Sequence, residues 1–160
     1  MNFFQTFLII AAILIFISGI VAKLRNPKGV PDYRIKIDNL KDKTEKQLHG
    51  KYSDSIEIYP FLNDKSKPFL VCIDPEKHFT AIASDEHTVI LHHGKKKKCE
   101  LLTESQDKKY FESITCRISS EELEEDLIIP LAENRHRKKS YIGKALLRNA
   151  EEFRGKVLFI

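Results

Sequence analysis

The chain has 160 residues, with 27 Lys and Arg against 23 Asp and Glu, so its formal net charge at pH 7 is +4. This mild excess permits an anionic partner without requiring one. Three cysteines are an odd set for the disulfide framework of a secreted domain and are ordinary in a reducing compartment. Six glycines leave little material for a glycine-rich phosphate-binding loop.

The first 22 residues carry no charged side chain, and the run from Phe3 to Ala22 is almost entirely apolar. At about 1.5 Å rise per residue, about twenty residues of helix reach roughly 30 Å, the thickness of the hydrocarbon core of a bilayer. A cleavable signal peptide would need basic residues before the run and small residues at a cleavage site. No Lys or Arg precedes the run, and Ile20 occupies one of the small-residue positions. We therefore predict an uncleaved transmembrane anchor over residues 1–22 and a juxtamembrane linker over residues 23–31.

Basic residues flank this predicted span on its carboxy-terminal side only. Within about fifteen residues of a span, such residues favour the cytoplasmic side of the membrane. The sequence therefore predicts a single-pass protein, expected in a bacterial inner membrane, with its amino terminus outside and its carboxy-terminal domain in the cytoplasm. The residues in this window are Lys23, Arg25, Lys28, Arg34 and Lys36.

The predicted span also carries a stripe of small residues, because Ala11, Ser18 and Ala22 would share one face of the helix. Small residues let two helices approach closely in lipid, which makes self-association through this face one interpretation. Alanine is also common in spans that do not pair, so a monomeric span is the alternative.

The remaining residues, 32–160, are predicted to form one cytosolic α+β domain. The segment "DYRIKIDNL", Asp32–Leu40, alternates apolar and polar residues, which is typical of a half-buried strand. A polar stretch that ends at Gly50 follows, as a loop or a short helical turn. A second alternating run, Ser55–Leu62, is expected to be interrupted at Pro60.

Four short runs rich in Val, Ile, Phe and Thr occupy the middle of the domain, joined by segments that suit tight turns. They read "PFLVCID", "HFTAIAS", "HTVILHH" and "KCELLT". A less regular strand, "KYFESITCRIS", follows them. Together with the two earlier segments, these runs predict an antiparallel β-meander of about seven strands.

Two helices are predicted after the meander. The first is "SSEELEEDLII", because Ser119 and Glu122 have the spacing of a capping box, and Pro130 should end it. The second is "SYIGKALLRNAEEFRG", which places Ile142 and Phe153 on one apolar helical face. Seven strands followed by a helix are also the element order of pleckstrin-homology-like domains. The chain resembles that family in element order alone, with no motif to carry an assignment.

Two basic clusters are candidate contacts for phosphate on a lipid headgroup, a nucleotide or a nucleic acid. The first lies where a hairpin should turn, and it could equally be a solvated loop that protects strand edges from aggregation. The second lies between the predicted helices, and its arginines could equally pair with the acidic residues that precede them. A phosphate ligand is favoured only if the two clusters converge in space. The clusters consist of Lys95, Lys96, Lys97 and Lys98, and of Arg135, Arg137, Lys138 and Lys139.

The histidines invite a metal-site interpretation. His87 and His93 share one face of a predicted strand, His92 lies on the opposite face, and Cys99 follows the next turn. The sequence has no paired C-x-x-C and no H-E-x-x-H motif. Packed or solvated histidines are therefore favoured over a metal site.

A cysteine nucleophile is the remaining catalytic interpretation. Cys72 or Cys116 could pair with His78, but both cysteines lie in apolar strands, where a thiol behaves as a small hydrophobe. A Cys- or His-dependent hydrolase is therefore the weakest hypothesis, and the sequence predicts no catalytic residue, no metal and no cofactor.

These observations favour a non-enzymatic, membrane-anchored cytosolic interaction module that acts as a subunit or scaffold of a membrane-associated complex. A tether raises the effective concentration of such a domain for partners at the bilayer. The alternative is a membrane-tethered sensor or effector whose basic clusters bind an anionic ligand, namely a nucleotide, RNA or acidic lipid. The expected partners are the lipid bilayer and one or more proteins, with a homo-oligomer and an anionic ligand as open alternatives.

Overall fold

A computed structural model describes residues 32–158 of the chain. The predicted anchor, its stripe of Ala11, Ser18 and Ala22, and the predicted linker lie outside the described residues and stay predictions. Within the described residues, no helix is both long and apolar enough to cross a membrane. The chain from Lys36 onwards forms one compact unit.

The described part consists of two helices and nine antiparallel strands, so the predicted α+β class and antiparallel meander are confirmed, with more strands than expected. In chain order the elements are α1 (Asp32–Leu48), β1 (Glu57–Leu62), β2 (Pro68–Asp74), β3 (Phe79–Ala83), β4 (Thr88–His92), β5 (Lys97–Glu104), β6 (Tyr110–Phe111), β7 (Ser113–Ser120), β8 (Leu127–Ala132), β9 (His136–Arg137) and α2 (Tyr141–Val157). A first sheet has the strand order β1-β2-β3-β4, and a second sheet has the order β5-β7-β8. Strands β6 and β9 form a small third sheet.

The four central runs form β2 to β5, as their composition predicts. β2 is buried along its whole length because both faces of the first sheet are covered. Val71 and Ile73 belong to the main core, with the second sheet and α2, whereas Leu70 and Cys72 belong to a second apolar cluster that includes residues of α1. Pro60 does not interrupt β1 as expected, because β1 lies at the edge of its sheet and, among the described strands, pairs only with β2.

The predicted first strand, "DYRIKIDNL", is wrong, because this segment begins α1. The residues that α1 buries are Leu40, Thr44 and Leu48, which are four apart and share one helical face. Ile35, which would lie on the apolar face of the predicted strand, is 50% exposed. The helix continues through the polar stretch because Lys, Glu and Gln are good helix formers. A turn with Gly50 in the left-handed conformation, at φ 72°, follows it.

The predicted helix over "SSEELEEDLII" is also wrong. β7 runs to Ser120, a turn follows, and the apolar half of the segment becomes β8. Alternate residues from Leu127 to Leu131 are buried, which is the period of a strand, and this burial outweighs the helical preference of a short acidic run. Ser119 and Glu122 do not begin a helix; the Ser120 hydroxyl accepts the N–H of Glu122 within the turn, at 3.3 Å.

The C-terminal helix is confirmed as α2, although its buried face differs from the predicted one. Phe153 is fully buried, and its ring lies edge-on to Phe61 of β1 with 5.1 Å between centroids. Ile142 was expected on the same face but is 58% exposed. Gly143 faces the domain instead, and it approaches the carbonyl of Arg137 so closely that a Cβ would not fit.

Candidate functional site

The lysine run, Lys95–Lys98, lies at the β4–β5 connection. Gly94 in the left-handed conformation, at φ 82°, makes the turn, and the last two lysines already belong to β5, opposite the end of β7. Lys98 forms an ion pair with Glu100 at 2.5 Å on the exposed side of the strand. The predicted hairpin turn is wrong, because β4 and β5 belong to different sheets; the run is a mostly exposed, charged connection between these sheets.

A carboxylate lies at the same end of the domain. Glu122 accepts a hydrogen bond from the backbone N–H of His92 and contacts the ring Nδ1 of the same residue, both at 2.7 Å. Burial would raise the pKa of Glu122, but the hydrogen bonds from His92 outweigh burial and hold the pKa below its ordinary value. Lys95 lies close enough to act on this carboxylate electrostatically, so Glu122 offsets part of the charge of the lysine run.

The arginine cluster, Arg135–Lys139, contains β9 and the residues that lead into α2. Arg135 pairs with Glu112 at 3.3 Å, and its guanidinium lies over the ring of Tyr110 at 4.4 Å from the centroid. Arg137 pairs with Tyr110 through the backbone in the third sheet. Arg135 therefore has an internal partner, as the alternative interpretation expected, but that partner is Glu112 instead of the acidic residues before β8.

The two basic clusters lie at opposite ends of the β5–β7 ladder. Lys97 is opposite Ser120 at one end, and Glu104 is opposite Ser113 at the other. Glu112, the partner of Arg135, donates its backbone N–H to Glu104 at 2.8 Å. At about 3.3 Å per residue, the ladder separates the clusters by roughly 23 Å, so they do not line one concave site.

The histidines of the first sheet have partners of their own. His93 Nε2 lies 3.1 Å from Thr80 Oγ1, and its ring meets that of His78 edge-on, with 6.3 Å between centroids. Burial lowers the pKa of His93, which favours a neutral ring at pH 7. His92 binds the carboxylate described above, and His87 lies in the β3–β4 turn. In the part of the chain that the structure describes, no group of three or more His, Cys, Asp or Glu side chains could hold a metal ion.

Cys72 and Cys116, the two thiols considered as nucleophiles, are fully buried and belong to different apolar clusters. Burial raises the pKa of Cys72 to about 12, so this thiol stays protonated at neutral pH. Cys116 contacts Cys99 on the neighbouring strand, with 2.7 Å between the Sγ atoms. Both thiols thus pack as parts of the core.

A polar clamp that sequence reasoning missed joins the β1–β2 turn to the β8–β9 connection. Asp64 accepts the backbone N–H groups of Glu133 and Asn134 and contacts His136 Nε2, each at 2.9 Å. Asn63 donates from Nδ2 to the Glu133 carboxylate at 2.7 Å. Burial would raise the pKa of Asp64, but these hydrogen bonds bring it below its ordinary value. The clamp fixes one end of β8 against the first sheet.

An apolar groove of about 220 Å³ lies between β8 and one end of the first sheet. Phe69 of β2 and residues 128–130 of β8 form much of its wall, and Ile128 is 49% exposed. Asp85 and Glu86 of the β3–β4 turn lie on its rim. Sequence reasoning missed this β8 groove because it assigned residues 119–129 to a helix.

The described surface thus offers an apolar groove and two separate basic clusters. The groove can accept an apolar side chain, and each cluster can contact anionic groups by itself. No protein-family model, no characterised protein and no solved structure matches this chain.

Proposed function

We propose that the protein is a single-pass, membrane-anchored interaction module with its domain in the cytoplasm, a subunit or scaffold of a membrane-associated complex. Its partner is a protein, an extended segment of which docks in the β8 groove. The observation that carries this proposal is the half-exposed Ile128, which lines an apolar groove on an edge strand. Exposed apolar residues on edge strands are an aggregation hazard unless a partner covers them.

The size and charge of the β8 groove specify the occupant. Its volume of about 220 Å³ is below the roughly 300–1,000 Å³ of small-molecule sites and suits one large apolar side chain. Asp85 and Glu86 are exposed on the rim, whereas Lys67 on the same rim is paired with Glu133 at 3.0 Å. Lys43 contacts the Asp85 carbonyl, so the rim carries charges of both signs. The exposed carboxylates of Asp85 and Glu86 on this rim favour a partner segment with an apolar residue flanked by Lys or Arg.

The backbone of β8 sets the mode of docking. Within the described ladders β8 pairs only with β7, so an extended segment can lie along its other side. Pro130 has no N–H to donate to such a segment, and Asn63 Nδ2 already donates to the Pro130 carbonyl at 3.3 Å. Insertion of a side chain therefore supplies more of the proposed affinity than a continuous strand ladder.

The positions of the basic clusters favour this function over the alternative sensor. A ligand held jointly by the lysine run and the arginine cluster would have to bridge the length of the β5–β7 ladder. Arg135 is already paired with Glu112. A nucleotide, RNA or acidic lipid would therefore have to bind one cluster alone.

We also propose the pleckstrin-homology-like order as a description of the domain. A four-stranded sheet, a three-stranded sheet and a C-terminal helix support it. This proposal concerns the arrangement of elements and does not imply any ligand.

Two matched substitutions in the full-length protein test the docking site. Ile128→Arg places a charge beside the β8 groove, whereas Leu102→Arg places the same charge at a comparably exposed position, 41%, on β5. A partner retained by the detergent-solubilised wild type should be lost with Ile128→Arg and kept with Leu102→Arg. A photo-crosslinker at position 128 should label that partner within an apolar segment that contains Lys or Arg. Equal recovery with both variants would contradict the proposal.

The membrane orientation has a separate test. The protein should fractionate with membranes, and a cytoplasm-dependent reporter fused after Ile160 should be active. External protease should remove an amino-terminal tag and spare the domain. Protection of the tag with cleavage of the domain would reverse the orientation.

A further inference from the structure

The first turn of α2 exposes two large apolar side chains. Tyr141 is 90% exposed and Ile142 is 58% exposed, the highest values among the exposed large apolar residues in the described range. Both line a groove of about 320 Å³ that is shallow and open along α2. Such a surface suits an extended partner better than an enclosed small ligand.

Basic residues surround these two side chains. The segment Arg137–Lys139 precedes the helix, and Lys144 and Arg148 follow Tyr141 by three and seven residues, which places them on its side of α2. The first turn of α2 contains no acidic residue, and the acidic residue that lines this groove, Glu152, lies one turn beyond Arg148. We refer to Arg137–Lys139, Tyr141, Ile142 and Lys144 as the α2 patch.

We propose that the α2 patch docks on the surface of an anionic lipid bilayer. Tyrosine at such an interface places its ring at the acyl boundary and its hydroxyl among the headgroups, and Lys and Arg extend their charged ends to lipid phosphates. Exposed aromatic and aliphatic side chains within a basic rim combine apolar burial with attraction to acidic lipids, the two contributions that interfacial binding needs. The inference rests on the proposed anchor, because the tether holds the domain at the membrane face.

The lysine run is a natural comparison, because it offers charge without an apolar anchor. The run and its turn contain none of the exposed large apolar residues of the described part. Glu122 also acts electrostatically on Lys95. Unlike the lysine run, the α2 patch therefore combines the basic and apolar side chains that a bilayer surface recognises.

The absence of tryptophan from the sequence makes a direct test simple, because Tyr141→Trp introduces a single indole into the full-length protein. This variant is reconstituted into bilayers with brominated acyl chains, made of phosphatidylcholine alone or with added phosphatidylserine. Quenching and a blue shift of the emission are expected only in the anionic bilayer. Both should be lost at 1 M salt, where the Debye length falls to about 3 Å. Leu102→Trp, at a position that is 41% exposed on β5, should stay unquenched.

Charge reversal in the Tyr141→Trp background locates the effect. Lys139→Glu combined with Lys144→Glu changes two exposed side chains of the α2 patch and should abolish the quenching. Lys95→Glu combined with Lys96→Glu changes two exposed side chains of the lysine run and should leave the quenching intact.

Three results would overturn the inference. Equal quenching in neutral and anionic bilayers would show that binding does not depend on lipid charge. Quenching that survives the reversal of Lys139 and Lys144 would show that the basic residues of the α2 patch do not bind the bilayer. Loss of a protein partner on the same reversal, with no quenching at any stage, would make the patch a protein-docking surface. The predicted anchor is tested separately. If the chain is recovered in the soluble fraction, the anchor prediction is wrong, and quenching by added vesicles still tests whether the α2 patch binds an anionic bilayer.

Discussion

The Sγ atoms of Cys99 and Cys116 lie 2.7 Å apart, although the two residues are not opposite each other in the β5–β7 ladder. Cys99 faces Ile118 and Cys116 faces Leu101, so the thiols are diagonal neighbours. The hydrogen bond with Cys116 lowers the pKa of Cys99 even though burial opposes it, and the same bond, with burial, raises the pKa of Cys116. Cys99 is therefore the more acidic thiol of the pair.

We predict that this pair forms a disulfide when a disulfide oxidant such as oxidised glutathione is supplied. The Cys99 thiolate attacks the oxidant and releases one glutathione thiolate, and the Cys116 sulfur then displaces the second, so that two electrons pass to the oxidant and both thiol protons are released. Linking residues that are 17 apart should raise the free energy of unfolding by about 3 kcal/mol. Urea denaturation of the detergent-solubilised protein before and after oxidation measures this change.

Cys72 provides the control for the redox prediction, because it lies in the other apolar cluster. Cys72→Ser should leave the oxidative stabilisation unchanged, whereas Cys116→Ala should abolish it. Alkylation of both Cys99 and Cys116 after oxidation and unfolding would contradict the prediction. A pair found oxidised in freshly isolated membranes would argue against the proposed cytoplasmic location of the domain.

The clamp at Asp64 should make the protein sensitive to acid. Its pKa is lower in the folded state, so its stabilising contribution is fully present above the ordinary value of 3.8 and is lost as the pH falls through the folded value. Asp64→Asn should reduce the free energy of unfolding at neutral pH by about 1.5–3 kcal/mol, because the side chain is only 4% exposed and its charge accepts hydrogen bonds. The difference from wild type should shrink below pH 3.8 in urea denaturation.

Glu124→Gln is the matched control for the clamp, since it neutralises an exposed carboxylate in the β7–β8 turn. We expect a change within about 0.5 kcal/mol. If both variants showed the same loss and the same pH dependence, the effect would come from net charge and not from the clamp.

Two glycines of α2 should respond to alanine in opposite directions. A Cβ on Gly143 would lie 2.1 Å from the carbonyl oxygen of Arg137, whereas a Cβ on Gly155 would meet nothing within 4 Å. Gly143→Ala should lower the free energy of unfolding by about 1–3 kcal/mol, because the backbone before α2 has to move. Gly155→Ala should raise it by about 0.5–1 kcal/mol, because alanine is the better helix former. Chemical denaturation of each variant provides the measurement, and a stabilising Gly143→Ala would contradict the close approach.

The buried face of α2 can be checked with two truncations. Phe153→Ala should reduce the free energy of unfolding by about 3–5 kcal/mol, because the ring is fully buried against Phe61. Ile142→Ala should change it by less than about 0.5 kcal/mol, because the side chain is 58% exposed. Similar losses from both truncations would restore the helical face that the sequence pattern predicted.

The sequence by itself was enough to predict the central strands and the presence of α2. β2 to β5 are short runs of β-branched and aromatic residues between tight turns, so local preference and burial favour the same structure. α2 has a helical apolar stripe and a Ser140 N-cap, whose hydroxyl accepts the N–H of Gly143 at 3.0 Å. In these segments, residues that are neighbours along the chain largely determine which secondary structure forms.

The tertiary structure decided α1 and β8, where local pattern and long-range burial disagree. Asp32–Leu40 alternates like a strand, yet Leu40, Thr44 and Leu48 are the residues that α1 buries. The acidic run before β8 resembles a helix start, yet the apolar residues after it pair with β7 and enter the core. Burial of apolar area against other elements outweighs differences in local propensity of a few tenths of a kcal/mol per residue.

The candidate sites depended on the tertiary structure even more strongly. Asp64 and His136, which make the clamp beside the β8 groove, are 72 residues apart in the chain. The lysine run and the arginine cluster look equivalent as sequence, but the register of β5 with β7 sends them to opposite ends of one ladder. Composition therefore determined which charges the domain carries. Only strand pairing determined which of them are neighbours, because pairing brings together residues whose separation in sequence carries no information about distance in space.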